Sequence, residues 1–185
     1  MPLHFPVLAR VAVLALGVVG GVGAVAGSAS CTTDTTVVGV TPVTGVLVRS
    51  NALVTGIGCG TGDAQIFEYV AVVTSQDGSS AWAGAYPCYS DATFVNLPFA
   101  DAGQPTIFDV AIFAYSKAAF DQAAAHQLPL EATAQVIGGP LTDATRATIA
   151  SLEAVSTWTT DCSATQQPNV EVLADCQPLV ARAAP

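Results

Sequence analysis

The stretch Thr106–Tyr115, TIFDVAIFAY, is apolar on both sides when written as an extended chain: Phe108, Val110, Ile112 and Ala114 alternate with Ile107, Ala111, Phe113 and Tyr115. Alternation over this length predicts a central β-strand. A second run, Gln65–Ser75 or QIFEYVAVVTS, behaves the same way. Phe67, Tyr69, Ala71 and Val73 lie on one side and Ile66, Val70 and Val72 on the other, with Glu68 as the single charge. A sandwich sheet normally turns one polar face to water, so strands apolar on both faces need a cover on the outside as well. The expected cover is the segment Ala118–Val155, lying over Val70, Val72, Ala111, Phe113 and Tyr115. The alternative is that this face is an exposed patch for a partner.

The remaining chain supplies short β-rich runs and one helical interval. TVVGV, GVLVR and ALVTGI, between Thr36 and Ile57, predict two or three strands separated by Thr41-Pro42 and Ser50-Asn51. Gly56, Gly58, Gly60 and Gly62 alternate around Cys59 and predict a bent connection. Asp77-Gly78 marks a hairpin tip. SAWAGAYPCY, residues Ser80–Tyr89, reads as an aromatic loop, and Asp91–Leu97 resumes an extended pattern. AAFDQAAAHQ and TDATRATIASLEAV predict one or two helices inserted at about 118–155. Strand character returns in Thr157–Gln166 and Val170–Cys176 around a tip at Asn169.

The strand ATFVNLP, its Leu-Pro corner and the long strand TIFDVAIFAY together resemble the E-to-F region of a fibronectin type III or immunoglobulin-like domain. The expected fold is therefore mainly β: an immunoglobulin/fibronectin III-like antiparallel β-sandwich over residues 37–180, with a helical insertion before the last hairpin. Ordinary domains of this type carry no helices there, which is where this chain departs from the pattern. The resemblance is architectural and carries no ligand residues with it.

The first thirty residues read as a signal peptide. Arg10 closes a short n-region, Val11–Ala26 is an uncharged, glycine-rich apolar run, and small residues follow. An uncleaved anchor is the rival, but the run falls short of the roughly 20 apolar residues a spanning helix needs. Ser28-Ala29-Ser30-Cys31 resembles the lipobox of bacterial lipoproteins, with Ser28 standing where an aliphatic residue is usual. That resemblance implies lipidation at Cys31, with residues 31–36 as a polar tether. Cleavage after Ser28 or Ala29 by an ordinary signal peptidase would instead release a secreted protein.

Cysteine parity bears on the choice. Five cysteines in an exported chain leave one over, and assigning Cys31 to lipid leaves Cys59, Cys88, Cys162 and Cys176 as an even set. A hairpin centred on Asn169 puts Cys162 opposite Cys176 and leaves Cys59 with Cys88, one of three pairings four cysteines allow. From Cys31 onward the formal charge is 4 minus 14, or −10. That sign argues against a nucleic-acid partner and against docking on anionic lipid.

Catalytic chemistry finds little support. His126 is the one histidine after the signal segment, so neither a multi-histidine metal centre nor an evident Ser-His-Asp triad is expected, and no Gly-x-Ser-x-Gly elbow occurs. The alternating glycines fit no nucleotide loop. Glu68 and Asp109 interrupt apolar strands and are read as outward-pointing or as paired with Lys117 or Arg146; Asp77, Asp91, Asp101 and Asp143 are read as turn and cap residues. No catalytic residue, metal or cofactor is assigned. The candidate ligand contacts are Trp82, Tyr86 and Tyr89, which either stack on a sugar ring or grip a peptide, or cap the open end of the sandwich; the average burial of Trp favours capping.

The chain thus resembles bacterial envelope lipoproteins that pair a lipobox with one immunoglobulin-like domain. The resemblance implies an exported cell-envelope protein with a non-enzymatic binding or structural role, held at the membrane by lipid and meeting an envelope protein or glycan. Thr32, in place of the Asp that commonly retains lipoproteins at the inner membrane, points by analogy to the outer membrane. The alternative is a secreted carbohydrate-binding module or hydrolase working at the aromatic loop and nearby carboxylates.

Overall fold

The computed structural model describes residues 45–99, 104–125, 128, 130 and 135–182. The signal segment, Cys31 with its tether, the TVVGV run, Asp101 and His126 lie outside these residues. In chain order the strands are β1 (Gly45–Val48), β2 (Glu68–Ser75), β3 (Ser80–Pro87), β4 (Ala92–Val95), β5 (Thr106–Tyr115), β6 (Gln135–Pro140), β7 (Trp158–Gln166), β8 (Glu171–Leu173), β9 (Asp175–Cys176) and β10 (Val180–Ala181). The helices are α1 (Ser50–Leu53), α2 (Lys117–Ala125) and α3 (Asp143–Ala154). The described chain is mainly β.

Two sheets hold these strands. The larger runs β10-β7-β5-β2-β3-β6, with β9 also pairing β7, and the smaller runs β4-β1-β8. Each pairing between named strands is antiparallel except the parallel pair β1–β8. β5 lies between β2 and β7, in register from Glu68↔Tyr115 to Ser75↔Phe108 on one edge and from Thr106↔Gln166 to Ala114↔Trp158 on the other. The strand expected to be central is central.

The two faces of the β2–β5 pair are buried against different layers. On the inner side Tyr69, Ala71, Val73, Phe108, Val110 and Ile112 share one core with Val46, Val48 and Phe94 of the smaller sheet. On the outer side Val70, Val72, Phe113 and Tyr115 form a second core with Leu152 of α3, joined by Ile149 and by Phe120 of α2. The insertion therefore covers the residues it was expected to cover, and the exposed-patch alternative fails there: Val70, Val72, Phe113 and Tyr115 are each at most 4% exposed. Tyr115 also donates its hydroxyl to the Leu152 carbonyl at 2.8 Å, tying sheet to helix. The cover spans one half of β5; Ile107 and Asp109, at its start, remain exposed.

The start of α3 has a local cause, and four elements depart from expectation. α3 starts where Thr142 takes a hydrogen bond from the Thr145 amide, an N-cap. Residues 80–87 form strand β3 rather than a loop. Trp82 and Tyr86 turn inward while Ala83 and Ala85 lie under the helical layer. Gly84 sits beneath the Tyr86 ring, where an added Cβ would come within 2.8 Å of its carbons. Residues 50–53, expected as the turn Ser50-Asn51 and the start of the ALVTGI strand, form a helical turn in which the Ser50 amide and hydroxyl both donate to Asp91 Oδ1, at 2.8 and 3.0 Å. Between the two inserted helices runs an additional strand, β6, which extends the sheet beside β3.

The last departure concerns the C-terminal hairpin. Cys162 does face Cys176 in antiparallel register. Val172, however, pairs with Val46 in the smaller sheet, so the chain crosses from one sheet to the other at Ala174, whose amide donates to the Leu47 carbonyl. Alternating residues 172–176 therefore do not share one ladder with β7.

Truncating Leu152 to Ala leaves a cavity between α3 and the sheet. Urea unfolding of this variant is expected to show a loss of roughly 2–5 kcal/mol. A loss within about 0.5 kcal/mol, as for an ordinary surface position, would contradict the covering role of the insertion.

Candidate functional site

The β2–β3 hairpin is closed by Gly78, whose φ of +65° suits glycine and whose amide donates to the Ser75 carbonyl at 2.7 Å. Asp77 organises the tip. Its Oδ1 accepts the Ser75 hydroxyl at 2.6 Å, the Ser79 amide at 3.0 Å and the Ser79 hydroxyl at 2.8 Å. Arg146 of α3 donates to the Gly78 carbonyl at 3.1 Å, so the helical layer also holds the tip from outside. These hydrogen bonds keep the Asp77 carboxyl well below the ordinary range, pulling it from 3.8 to about 2.

A cleft of about 530 Å³ opens where this tip overhangs the start of β5. One wall comes from the hairpin, with Ser75, Asp77, Ser79, Ser80 and Trp82, and the other from the segment leading into β5, with Pro98, Phe99, Pro105 and Ile107. The Trp82 ring stands edge-on to Phe108, centroids 6.2 Å apart, which fixes it against the core while leaving it partly exposed. The second wall is set by Leu97, whose carbonyl accepts from the side chain of fully buried Gln166 at 3.0 Å. The size falls in the range of small-molecule sites, and an apolar lining with a few convergent polar groups is their usual character.

The structure separates the three aromatic candidates. Trp82 lines the cleft. Tyr86 is 8% exposed beneath the smaller sheet, stacked on Tyr69 at 5.6 Å and edge-on to Phe94 at 6.2 Å, which makes it a core residue. Tyr89 follows β3 at the far end from the hairpin and is 81% exposed. The prolines, Phe99 and Ile107 were not singled out by sequence pattern. The available signals were the serines flanking Asp77-Gly78 and the Leu-Pro and Gln-Pro corners that bring a second wall alongside.

The strand carboxylates fare differently from each other. Asp109 is exposed on the uncovered half of β5. Glu68 is partly buried beside Tyr115, its Oε2 has no hydrogen-bond partner, and burial pushes its carboxyl upward from the ordinary value. Neither lines the cleft. Among the described residues no three His, Cys, Asp or Glu side chains gather into one group.

Four cysteines are joined as Cys59–Cys88 and Cys162–Cys176. The first ties the glycine-rich bend, where Gly56 and Gly58 have positive φ, to the end of β3. The second joins β9 to β7 beside the sheet crossing. Among the described residues no helix is long and apolar enough to cross a membrane. No family model matches the chain, and no curated protein or solved structure matches it either.

A carboxyl group with its folded value below its unfolded value contributes stability that is present at neutral pH and lost as pH falls through the folded value. The Asp77 contribution is therefore held above the ordinary carboxylate range and removed between about 3.8 and about 2. Following the Asp77 carboxyl carbon by NMR is expected to give a midpoint near 2, rising when Ser75 is changed to Ala. A wild-type midpoint at the ordinary value would mean that the tip is open in solution.

Proposed function

We propose that this chain is an exported, lipid-anchored protein of the bacterial cell envelope that binds a small ligand without chemistry at the Trp82 cleft. Cysteine use is the observation that supports the anchor most directly. Each cysteine of the described residues is bridged, and Cys31 is the one that remains in the sequence. Disulfides favour an oxidising compartment, and a cysteine beside a lipobox-like run is accounted for by acylation. The outer membrane follows by analogy from Thr32.

The domain is read as an immunoglobulin/fibronectin III-like sandwich enlarged by a helical layer. Two sheets closing on one core support this, while the parallel β1–β8 pair is a departure from wholly antiparallel pairing. Asp77 is the one carboxylate among the described lining residues. Paired-carboxylate hydrolysis needs two at a set separation, and the described lining supplies one.

Intact mass of the unreduced protein from its native membrane fraction tests the anchor. The expected chain begins at a di- or triacylated Cys31 and lacks four thiol hydrogens, one from each bridged cysteine. Changing Cys31 to Ser is expected to move the protein out of the membrane fraction with its thermal unfolding unchanged. A soluble wild-type chain beginning at Ala29 or Ser30 would remove the anchor and direct the search to secreted ligands.

A further inference from the structure

We propose that the cleft between the β2–β3 hairpin tip and the start of β5 takes a neutral sugar ring, its C–H face against Trp82 and its hydroxyls against Asp77 and Ser80. The inference rests on reading this cleft as the binding site and names the chemistry that fits it.

The cleft leaves hydrogen-bonding capacity unspent beside an aromatic ring. The Trp82 indole N–H makes no hydrogen bond among the described residues, and the residue is partly exposed where it lines the cleft. Ser80 uses its amide and carbonyl with Ser75, and its hydroxyl has no partner among the described residues. Asp77 receives its three donors on Oδ1, so Oδ2 is left as an acceptor. Donors and acceptors of both kinds thus stand beside the apolar lining given by Trp82 and Phe99.

Charge narrows the ligand class. No Lys, Arg or His is among the described residues lining the cleft, so none of those side chains compensates a phosphate or carboxylate. Asp77, the one charged residue among the described lining residues, is already held by three donors, which weakens its demand for a cation. A molecule with one apolar face and a rim of hydroxyls satisfies both halves of the lining, and a neutral saccharide has that form. The Asp77 tip needs no reorganisation to receive it, since its acceptor is held in place before the ligand arrives.

The test is an NMR titration of the full ¹⁵N-labelled chain in detergent micelles with maltose, cellobiose, lactose and diacetylchitobiose, and separately with choline and a proline hexapeptide. Trp82 and Trp158 are the two tryptophans, so their indole resonances separate cleft from core. At least one sugar is expected to shift the Trp82 indole and the Ser79 and Ser80 amides saturably while Trp158 stays still. Asp77→Asn is expected to weaken that sugar about tenfold by loss of a charge-assisted acceptor. Trp82→Phe, which keeps a ring and loses the donor, is expected to weaken it as well, and the dispersion of each spectrum reports whether the variant is folded. No shift with any of the four sugars would overturn the proposal. Shifts at Trp82 with choline or the peptide but with no sugar would overturn the sugar while keeping the cleft. Sugar shifts confined to another surface would overturn the cleft itself.

Discussion

The antiparallel pairing of β2 with β5 is the contact on which the other layers depend. Its two strands turn apolar side chains to both faces, and burial of a Val, Ile or Phe side chain contributes about 1.5–3 kcal/mol. Leaving either face wet would forfeit several such terms, in a fold whose net stability is commonly only 5–15 kcal/mol. The inner face is closed by the smaller sheet through Val46, Val48 and Phe94. The outer face is closed by α2 and α3, with Leu152 fully buried and Tyr115 bonded to its carbonyl. Three layers result, and the helical insertion is one of them.

The disulfides act where pairing alone holds the chain least. β9 contributes only Asp175 and Cys176 to the larger sheet, immediately after the chain has left β8 in the smaller one. A two-residue strand cannot secure such a crossing by its own ladder, and Cys162–Cys176 closes it covalently over a separation of 14 residues. Cys59–Cys88 likewise fixes the bend after α1, whose positive-φ glycines hold little regular structure. Loops of this length limit the unfolded chain by on the order of 3 kcal/mol in the chain-entropy account. The cleft lies at the end of the sheet carrying the β2–β3 tip, where Asp77, Arg146 and Phe108 hold its walls and floor.

Much of this framework was legible because it rests on period and symmetry. Alternation identified β2 and β5, and the two-sided apolar pattern called for the layer that Leu152, Ile149 and Phe120 supply. The midpoint at Asn169 paired Cys162 with Cys176. What stayed hidden depends on contacts distant in sequence. Ser50, in a helical turn, donates to Asp91, 41 residues away. β3 looked like a loop because its outward positions are Ala and its central inward position is Gly84, residues with weak strand preference whose size is dictated by the helices above and the Tyr86 ring beside them. A period of two also says nothing about which sheet a strand joins, so the crossing at Ala174 was invisible. The cleft was half legible: Trp82 was singled out, but its partners come from a corner that only the folded sheet brings alongside.

The central claim is that the helical layer and the two-sided sheet are one cooperative structure. Native-state hydrogen exchange measures this directly, since amides that open only through global unfolding share one free energy. The account predicts that α3 amides around Leu152 and β5 amides from Ala111 to Phe113 exchange with free energies within about 1 kcal/mol of each other, near the global value. Exchange of α3 by local opening several kcal/mol below the β5 amides would contradict it, and would make the insertion a loosely attached cover.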